Sequence, residues 1–132
     1  MRNERYWSQR IVRRYPGTMT IENSVSQGTP DLCIPTQTGW KWIELKIKYG
    51  SNMIVKKSQY ASTSREIRLL PEHLHRYYVI VDSEGNAGFV TASTMLLLDK
   101  KARKDDIAVD ISYVPFTLGL FELTDSFGCL QR

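Results

Sequence analysis

Two periodicities of apolar residues run along this chain and predict an α/β fold. Residues 2–14 repeat apolar side chains at intervals of three to four, as an amphipathic helix does, and a Tyr-Pro-Gly stop follows. Residues 39–48 alternate at every second position, which is typical of a half-buried strand. The pattern also predicts strands at 18–22, 31–34, 77–82, near 89–90 and at 107–113, helices at 56–70 and 91–102, and connections at 23–30 and 49–52. It predicts no element for the C-terminal remainder.

Length and composition indicate one globular domain over residues 1–132. Of the 132 residues, 42% are hydrophobic and 24% charged, as in folded chains with a single core. No apolar run approaches the roughly 20 residues of a membrane span, and the arginine-rich start does not resemble a secretory signal. Two cysteines are too few for a disulfide framework. We therefore expect reduced thiols and a cytoplasmic location.

The charge favours a polyanionic partner without requiring one. The chain has a formal net charge of +4, and arginines are concentrated in the first helix. The arginine-rich face of this helix is equally well interpreted as a solvated surface or as a surface contacting DNA phosphates. For Trp40 and Trp42, burial in the core or at a subunit interface is the stronger interpretation. The candidate DNA-binding residues are Arg5, Arg10, Arg13, Arg14, Lys48, Lys56 and Lys57.

One group of residues, Asp31, Glu44 and Lys46, is a candidate for metal binding and catalysis. Asp31 follows Gly28-Thr29-Pro30, and Glu44-Leu45-Lys46 lies inside the best-predicted strand. Residues i and i+2 of a strand share a face, so the side chains of Glu44 and Lys46 emerge together, and Asp31 reaches the same point if its strand pairs alongside. Two carboxylates there would form an oxygen-rich site for Mg²⁺ or Mn²⁺, and Lys46 could orient a water molecule. The simpler interpretation of a lone Glu-x-Lys is an ion pair on a sheet surface.

These residues resemble the PD-(D/E)xK nuclease superfamily. The resemblance rests on Pro30-Asp31, Glu44-Leu45-Lys46, a first-helix glutamate and Lys57-Ser58-Gln59 at the start of a helix, and it spans roughly residues 4 to 82. Within the superfamily, the motifs are most similar to the VRR-Nuc and phage Holliday-junction-resolvase branch. The resemblance implies a restriction-endonuclease-like core with a mixed central sheet flanked by helices, in αβββαβ order.

The resemblance also implies roles for individual residues. Asp31 and Glu44 would be metal ligands, the Leu45 carbonyl a further ligand and Lys46 the catalytic lysine. Gln59 would support the site from the following helix. The first-helix glutamate maps to Glu4, which is equally well explained as an acidic residue in a helix's first turn. Glu22 competes for an accessory metal role.

The function expected from this resemblance is that of a Mg²⁺-dependent DNA endonuclease, with Mn²⁺ able to substitute. It would hydrolyse phosphodiester bonds to leave a 5′-phosphate and a 3′-hydroxyl, with selectivity for branched DNA such as a Holliday junction. It would be of phage origin, and its location would then be the host cytoplasm. A homodimer is expected, since a chain this small does not enclose a branched duplex alone. The alternative is a catalytically silent nuclease-like protein that binds DNA or blocks a host defence complex. A third interpretation, a structural domain with a charged sheet edge, gives no reason for the three residues to share a face.

Overall fold

The computed structural model describes residues 2–21 and 30–131. The predicted accessory metal role of Glu22 and the motif residues Gly28 and Thr29 therefore lie outside the described residues. The helices are α1 (Glu4–Arg14), α2 (Lys57–Leu69), α3 (Ala92–Leu97) and α4 (Leu120–Ser126), with a 3₁₀ turn at Glu72–Leu74. The strands are β1 (Met19–Thr20), β2 (Leu32–Thr36), β3 (Gly39–Ile47), β4 (Asn52–Lys56), β5 (Tyr77–Val81), β6 (Asn86–Thr91), β7 (Lys100–Ala102), β8 (Asp106–Asp110) and β9 (Leu118–Gly119).

A mixed sheet of six strands forms the centre of the molecule, in the order β1-β2-β3-β5-β6-β9. Strands β3 and β5 are parallel, and their connection passes through α2, while the other neighbouring pairs are antiparallel. The predicted mixed sheet flanked by helices is confirmed. The expected αβββαβ order is present with one additional strand, β4, between β3 and α2.

A second, smaller sheet packs beside the first, in the order β4-β8-β7, with both pairs antiparallel. The two faces of the central sheet are covered by different elements. One face buries side chains from α1 and α4, including Trp7, Ile11 and Leu123, against Ile43 and Leu45 of β3. The other face packs against the small sheet through a cluster of Met53, Val55, Tyr78, Ile80, Val90, Met95, Ile107, Val109 and Ile111.

The charged face of β3 lies inside the protein. Ile43, Leu45 and Ile47 enter the α1 side of the core as the alternation predicts. The opposite face carries Glu44 and Lys46, whose exposed fractions are only 0% and 7% because α2 and the small sheet cover them. A sheet-surface ion pair open to solvent, the simpler interpretation of this motif, is therefore wrong.

Two predicted segments differ from the structure. The predicted helix at 91–102 ends at Leu97, where Leu98 turns to extended backbone, and residues 100–102 form β7 paired with β8. Long-range strand pairing thus overrides local helix propensity there. Strand β4 lies between the predicted loop at 49–52 and the predicted helix at 56–70 and takes one residue from each. The C-terminal remainder, for which the pattern predicts no element, forms β9 and α4.

Two further expectations concern apolar surface. Trp40 is 50% exposed and so does not lie in the core, and its burial at a subunit interface stays a prediction, while Trp42 is partly buried beside Leu70 and Leu74. Across residues 2–21 and 30–131, none of the helices combines the length and the apolar character needed to cross a bilayer.

Candidate metal and nucleic-acid site

A cleft of about 590 Å³ opens where the start of α1 approaches the end of β3 and the small sheet. It is lined by Glu4, Lys46, Ile47, Tyr49, Asn52, Ile54, Lys56, Arg103 and Asp106. Polar side chains from the first helix, the central strand and the small sheet therefore meet at one place. Lys46, from the group of residues identified in the sequence, is among them.

Asp31 lies directly beside the Glu-Leu-Lys segment. The pairing of β2 with β3 begins at Leu32 opposite Ile43, which places Asp31 one position beyond the strand, next to Glu44. Beyond the end of the backbone pairing, the Leu45 N–H donates to the side chain of Asp31, at 3.1 Å from its Oδ2. The carboxyl group of Asp31 also raises the pKa of Glu44, so the two groups interact. The structure thus brings the two carboxylates together on one face of the sheet.

Gln59 connects the two functional side chains of β3. Its Nε2 donates to Glu44 Oε2 at 3.2 Å, and its Oε1 accepts from Lys46 Nζ at 2.7 Å. The same oxygen accepts from the backbone N–H of Lys56, which ends β4, at 3.1 Å. Because Gln59 lies in the first turn of α2, the start of that helix sets the positions of both Glu44 and Lys46. The sequence placed Gln59 at a helix start, and the structure does so too.

Arg76 is a buried partner of this site that the sequence did not indicate. Its Nη1 donates to Glu44 Oε1 at 3.0 Å, and the side chains of both residues are completely buried. Its remaining donors reach Glu66 and Ser62 of α2, with Nε donating to Glu66 Oε2 at 2.8 Å and Nη2 to Ser62 Oγ at 3.0 Å. Both oxygens of Glu44 are therefore held, one by Arg76 and one by Gln59.

The surroundings raise the pKa of Glu44 well above its ordinary value. Burial is the largest cause, and the neighbouring carboxyl of Asp31 adds to it, while Lys46 and Arg76 act in the opposite direction. Two carboxyl groups forced together away from water repel each other when both are ionised. A cation between them would remove that repulsion.

Glu4 lies at the rim of the same cleft. Asn3 caps the helix by accepting the Tyr6 N–H at 3.0 Å, which fixes the first turn and places Glu4 toward the cleft. Its side chain is exposed as a whole, yet neighbouring protein atoms partly remove the carboxyl group from water and so raise its pKa. The charge of Asp31 also raises this pKa, while the charges of Lys46 and Lys56 lower it. Glu4 thus interacts electrostatically with the central residues, and its role as a ligand stays a prediction.

The donor atoms present fit a hard divalent cation. Carboxylate and carbonyl oxygens are the ligands that Mg²⁺ takes in proteins, and Mg²⁺ keeps several waters, so few protein ligands suffice. The Leu45 carbonyl faces the same side as its N–H, toward Asp31, because both groups of a strand residue point the same way. Within the described residues, no three His, Cys, Asp or Glu side chains form a closed ligand cluster. Asp31, Glu44 and the Leu45 carbonyl would hold the cation.

The predicted basic residues lie in three places. Lys56 lines the cleft, and Lys57 is exposed at the first position of α2. Lys48 instead lies over the ring of Phe116, with 4.8 Å between its Nζ and the ring centre. The arginines of α1 are on another surface, where Arg10, Arg13 and Arg14 border a depression with Phe121 of α4.

Two of these arginines already have partners within the protein. Arg14 forms an ion pair with Asp125 at 2.6 Å. The Arg10 guanidinium lies 5.4 Å from the centre of the Phe121 ring. Arg5 is exposed on the same helix. The DNA-contacting role of all seven basic residues stays a prediction.

Arg103 is the functional candidate that sequence reasoning missed in the cleft itself. The sequence placed residues 100–103 at the end of a helix, where basic side chains complement the helix dipole. The structure places Arg103 in the turn between β7 and β8, facing the cleft. The concentration of basic residues at 100–104 indicates a surface for an anionic ligand. The incorrect helix prediction for this segment gave no indication that it lies beside the cleft.

Comparison with known proteins shows a similarity of fold. No protein-family model matches the sequence, and no curated protein matches it. Among solved structures, the chain is similar to Hjc, a Holliday junction resolvase from the archaeal hyperthermophile Archaeoglobus fulgidus. The two chains share a fold. The TM-score is 0.58 at 10% sequence identity, and the similarity covers 92% of this chain and 95% of that chain.

This likeness extends over nearly the whole length of both chains, so it concerns the complete domain rather than a shared motif. The restriction-endonuclease-like α/β architecture expected from the sequence is the architecture of this protein. At 10% identity the similarity establishes the fold, and the assignment to the VRR-Nuc or phage branch stays a prediction.

Proposed function

We propose that this protein is a divalent-metal-dependent DNA endonuclease that acts on branched DNA. The observation that carries the proposal is the convergence of Asp31, Glu44 and Lys46 on one face of the central sheet, where Lys46 reaches the cleft and Gln59 bridges Glu44 and Lys46. A structural domain has no need for two adjacent carboxylates of which Glu44 is completely buried and Asp31 partly buried, since such a pair is costly to fold. The fold shared with a Holliday junction resolvase supports the choice of substrate.

The chain's own residues would position the reacting groups. Lys46 Nζ has one of its three donors committed to Gln59, which leaves two for a phosphate oxygen and the attacking water. Because Lys46 is nearly buried, its charge would act on the phosphate with little screening by solvent. Gln59 keeps the amine at a fixed distance from Glu44. The Asp31 oxygen that accepts the Leu45 N–H is fixed in the same way.

A divalent cation held by Asp31, Glu44 and the Leu45 carbonyl would supply Lewis-acid stabilisation of the phosphate charge and lower the pKa of water. Attack by water on phosphorus would break the bond to the 3′ oxygen. The attacking water would lose a proton to solvent and the departing 3′ oxygen would take one up from solvent, so the products would be a 5′-phosphate and a 3′-hydroxyl.

The direct test compares DNA substrates and metals. Purified protein is incubated with a four-way junction, linear duplex and single-stranded DNA of equal length, in Mg²⁺, in Mn²⁺ or in EDTA. We expect cleavage of the junction in either metal and none in EDTA. The D31N and E44Q variants should lose cleavage while retaining binding, because removing a carboxylate lowers the repulsion toward phosphate. Binding of DNA by the wild-type protein with no cutting in any metal would instead support the silent, nuclease-like alternative.

A second variant separates the lysine's chemistry from support of the metal site. K46M should lower kcat by roughly 100-fold or more, since removing one transition-state donor costs that much in preorganised sites. Its affinity for Mn²⁺, measured by titration calorimetry, should change by much less. Equal losses in turnover and metal affinity would show that Lys46 only supports the carboxylates.

Homodimer formation, cytoplasmic location and phage origin remain predictions. A dimer would supply two cleavage sites for the paired strands of a junction. Sedimentation of the protein with and without junction DNA measures this directly.

A further inference from the structure

The small sheet presents one of its faces to the cleft. Met53, Val55, Ile107 and Val109 are buried on its other face in the second core cluster. Because side chains alternate along a strand, the residues between them face the opposite way. Asn52, Ile54, Lys56 and Asp106 accordingly line the cleft.

Strand register adds the basic residues of the β7–β8 hairpin to this face. Ile54 is opposite Ala108, and Ala108 is opposite Lys101, so the three side chains share one side of the sheet. Arg103, in the following turn, lines the cleft directly. Lys104 is the next exposed residue of that turn. We define the hairpin wall as Lys56, Lys101, Arg103 and Lys104.

The charges of the hairpin wall are not compensated by ion pairs. In the part of the chain that the structure describes, ion pairs involve only Arg14 with Asp125 and Arg76 with Glu44 and Glu66. Asp106 is the one acidic side chain that the small sheet adds to the cleft lining. The wall therefore has an excess of positive charge, and its members Lys56 and Arg103 line the same cleft as Lys46.

Backbone contacts fix this wall relative to the candidate catalytic residues. The Lys57 N–H, at the start of α2, donates to the Asp105 carbonyl at 3.1 Å, two residues before Gln59. The Arg103 N–H donates to the Asp106 carbonyl at 2.8 Å and closes the turn. At the base of the hairpin, Lys100 Nζ donates to the Leu96 carbonyl at 2.9 Å. The hairpin is thus anchored on both sides, and its remaining basic side chains are free to contact a ligand.

We propose that the hairpin wall binds the sugar-phosphate backbone of DNA beside the phosphate that is cleaved. This inference rests on the proposed nuclease function and names the surface that holds its substrate. Exposed lysine and arginine side chains without a fixed hydrogen-bonding frame suit phosphate contacts, which position DNA without reading its sequence. Tyr49, 52% exposed and also lining the cleft, adds an aromatic surface for a sugar or an unpaired base.

The test measures binding separately from cleavage. Fluorescence anisotropy follows a labelled four-way junction in EDTA, where no cutting occurs, over a series of salt concentrations. The K101Q/R103Q double variant should bind about tenfold more weakly near physiological salt, and its slope of log K against log[salt] should be smaller by about 2. K104Q should lower the slope by about 1. The matched control is R65Q/R68Q, which removes the same charge from exposed positions of α2 outside the cleft.

Binding of K101Q/R103Q with the wild-type affinity and salt slope overturns the inference. So does an equal loss in R65Q/R68Q, which would indicate a response to net charge alone. In Mg²⁺, K101Q/R103Q should raise KM more than it lowers kcat. If the wild-type protein cleaves the junction and the hairpin variants bind it with wild-type affinity and salt slope, the proposal for the hairpin wall fails and the nuclease function stands. If the wild-type protein neither binds nor cuts DNA, both fail.

Discussion

Arg76 is a buried cation whose charge is matched by carboxylates on two elements. Glu44 of β3 and Glu66 of α2 both accept from it, and Ser62 takes a further donor. A buried guanidinium is tolerated only when its donors are satisfied, and here the same bonds orient a candidate metal ligand. Arg76 therefore couples the stability of the fold to the geometry of the site.

Replacing Arg76 by methionine should destabilise the protein by about 3–5 kcal/mol, because Glu44 is left buried without its cation. Urea unfolding at neutral pH measures this. The control R68M removes an exposed arginine of α2 and should change stability by about 0.5 kcal/mol or less. Adding E66Q to R76M should recover part of the loss, since one uncompensated carboxylate is removed. Wild-type stability in R76M would contradict the proposed role of the buried triad.

At the residue scale, the sequence identified the residues of the motif and missed the residue that supports it. Asp31, Glu44, Lys46 and Gln59 were selected by spacing and resemblance, and the structure brings them together. Arg76 precedes β5 in a polar stretch that has no recognisable pattern. Its partner Glu44 is 32 positions away, so only the folded chain reveals the contact.

At the scale of elements, the first and last helices are joined by a polar contact. Arg14 of α1 pairs with Asp125 of α4, and the Tyr15 hydroxyl also donates to Asp125. The bond from Arg14 lowers the pKa of Asp125 below its ordinary value of 3.8, despite partial burial that acts in the opposite direction. A carboxyl with a depressed pKa in the folded state stabilises that state above its unfolded pKa, and this stabilisation disappears as pH falls through the folded value.

The D125N variant should therefore be less stable than the wild type at pH 7, by about 1 kcal/mol after allowing for solvent screening. The difference should shrink as pH falls below 3.8, where Asp125 itself becomes protonated. Urea unfolding of both proteins between pH 7 and pH 2 provides the measurement. D99N, at an exposed position, is the matched control and should follow the wild-type curve. A difference that stays constant over this range would contradict the ion pair's contribution.

Elements with strong local patterns were predicted correctly, and elements formed by distant pairing were not. The alternation in β3 and the spacing in α1 are visible in any short window. Residues 100–102 carry basic side chains that suit a helix end, and only their pairing with β8 makes them a strand. The segment 120–126 gave no clear signal, yet Leu120 and Leu123 pack into the core on the α1 side.

At the scale of the whole molecule, the candidate site joins separate parts of the chain. Its oxygens come from the residue before β2, from β3 and, at the rim, from α1. A ligand that binds the folded state and not the unfolded chain stabilises the fold by mass action. Metal binding should consequently be measurable as stability, independently of any DNA.

Mn²⁺ at a hundredfold excess over its dissociation constant should raise the free energy of unfolding by about 2.7 kcal/mol relative to EDTA. The D31N variant should show little of this increase, because it lacks one of the two central carboxylates. Denaturant unfolding with Mn²⁺ or with EDTA gives both values, and D99N again serves as the control. An equal increase in D31N and wild-type protein would place the metal elsewhere.

The small sheet also constrains the order in which the protein can assemble. Strand β4 pairs with β8, so residues 52–56 cannot form their strand pairing until residues 106–110 have been synthesised. A ribosome adds roughly 5–20 residues per second, and pairing between distant segments is slow compared with helix formation. A nascent chain that has emerged only through α2 already contains Asp31, Glu44, Lys46 and Gln59. It still lacks β7 and β8, which build the opposite side of the cleft, so the cleft forms late in synthesis.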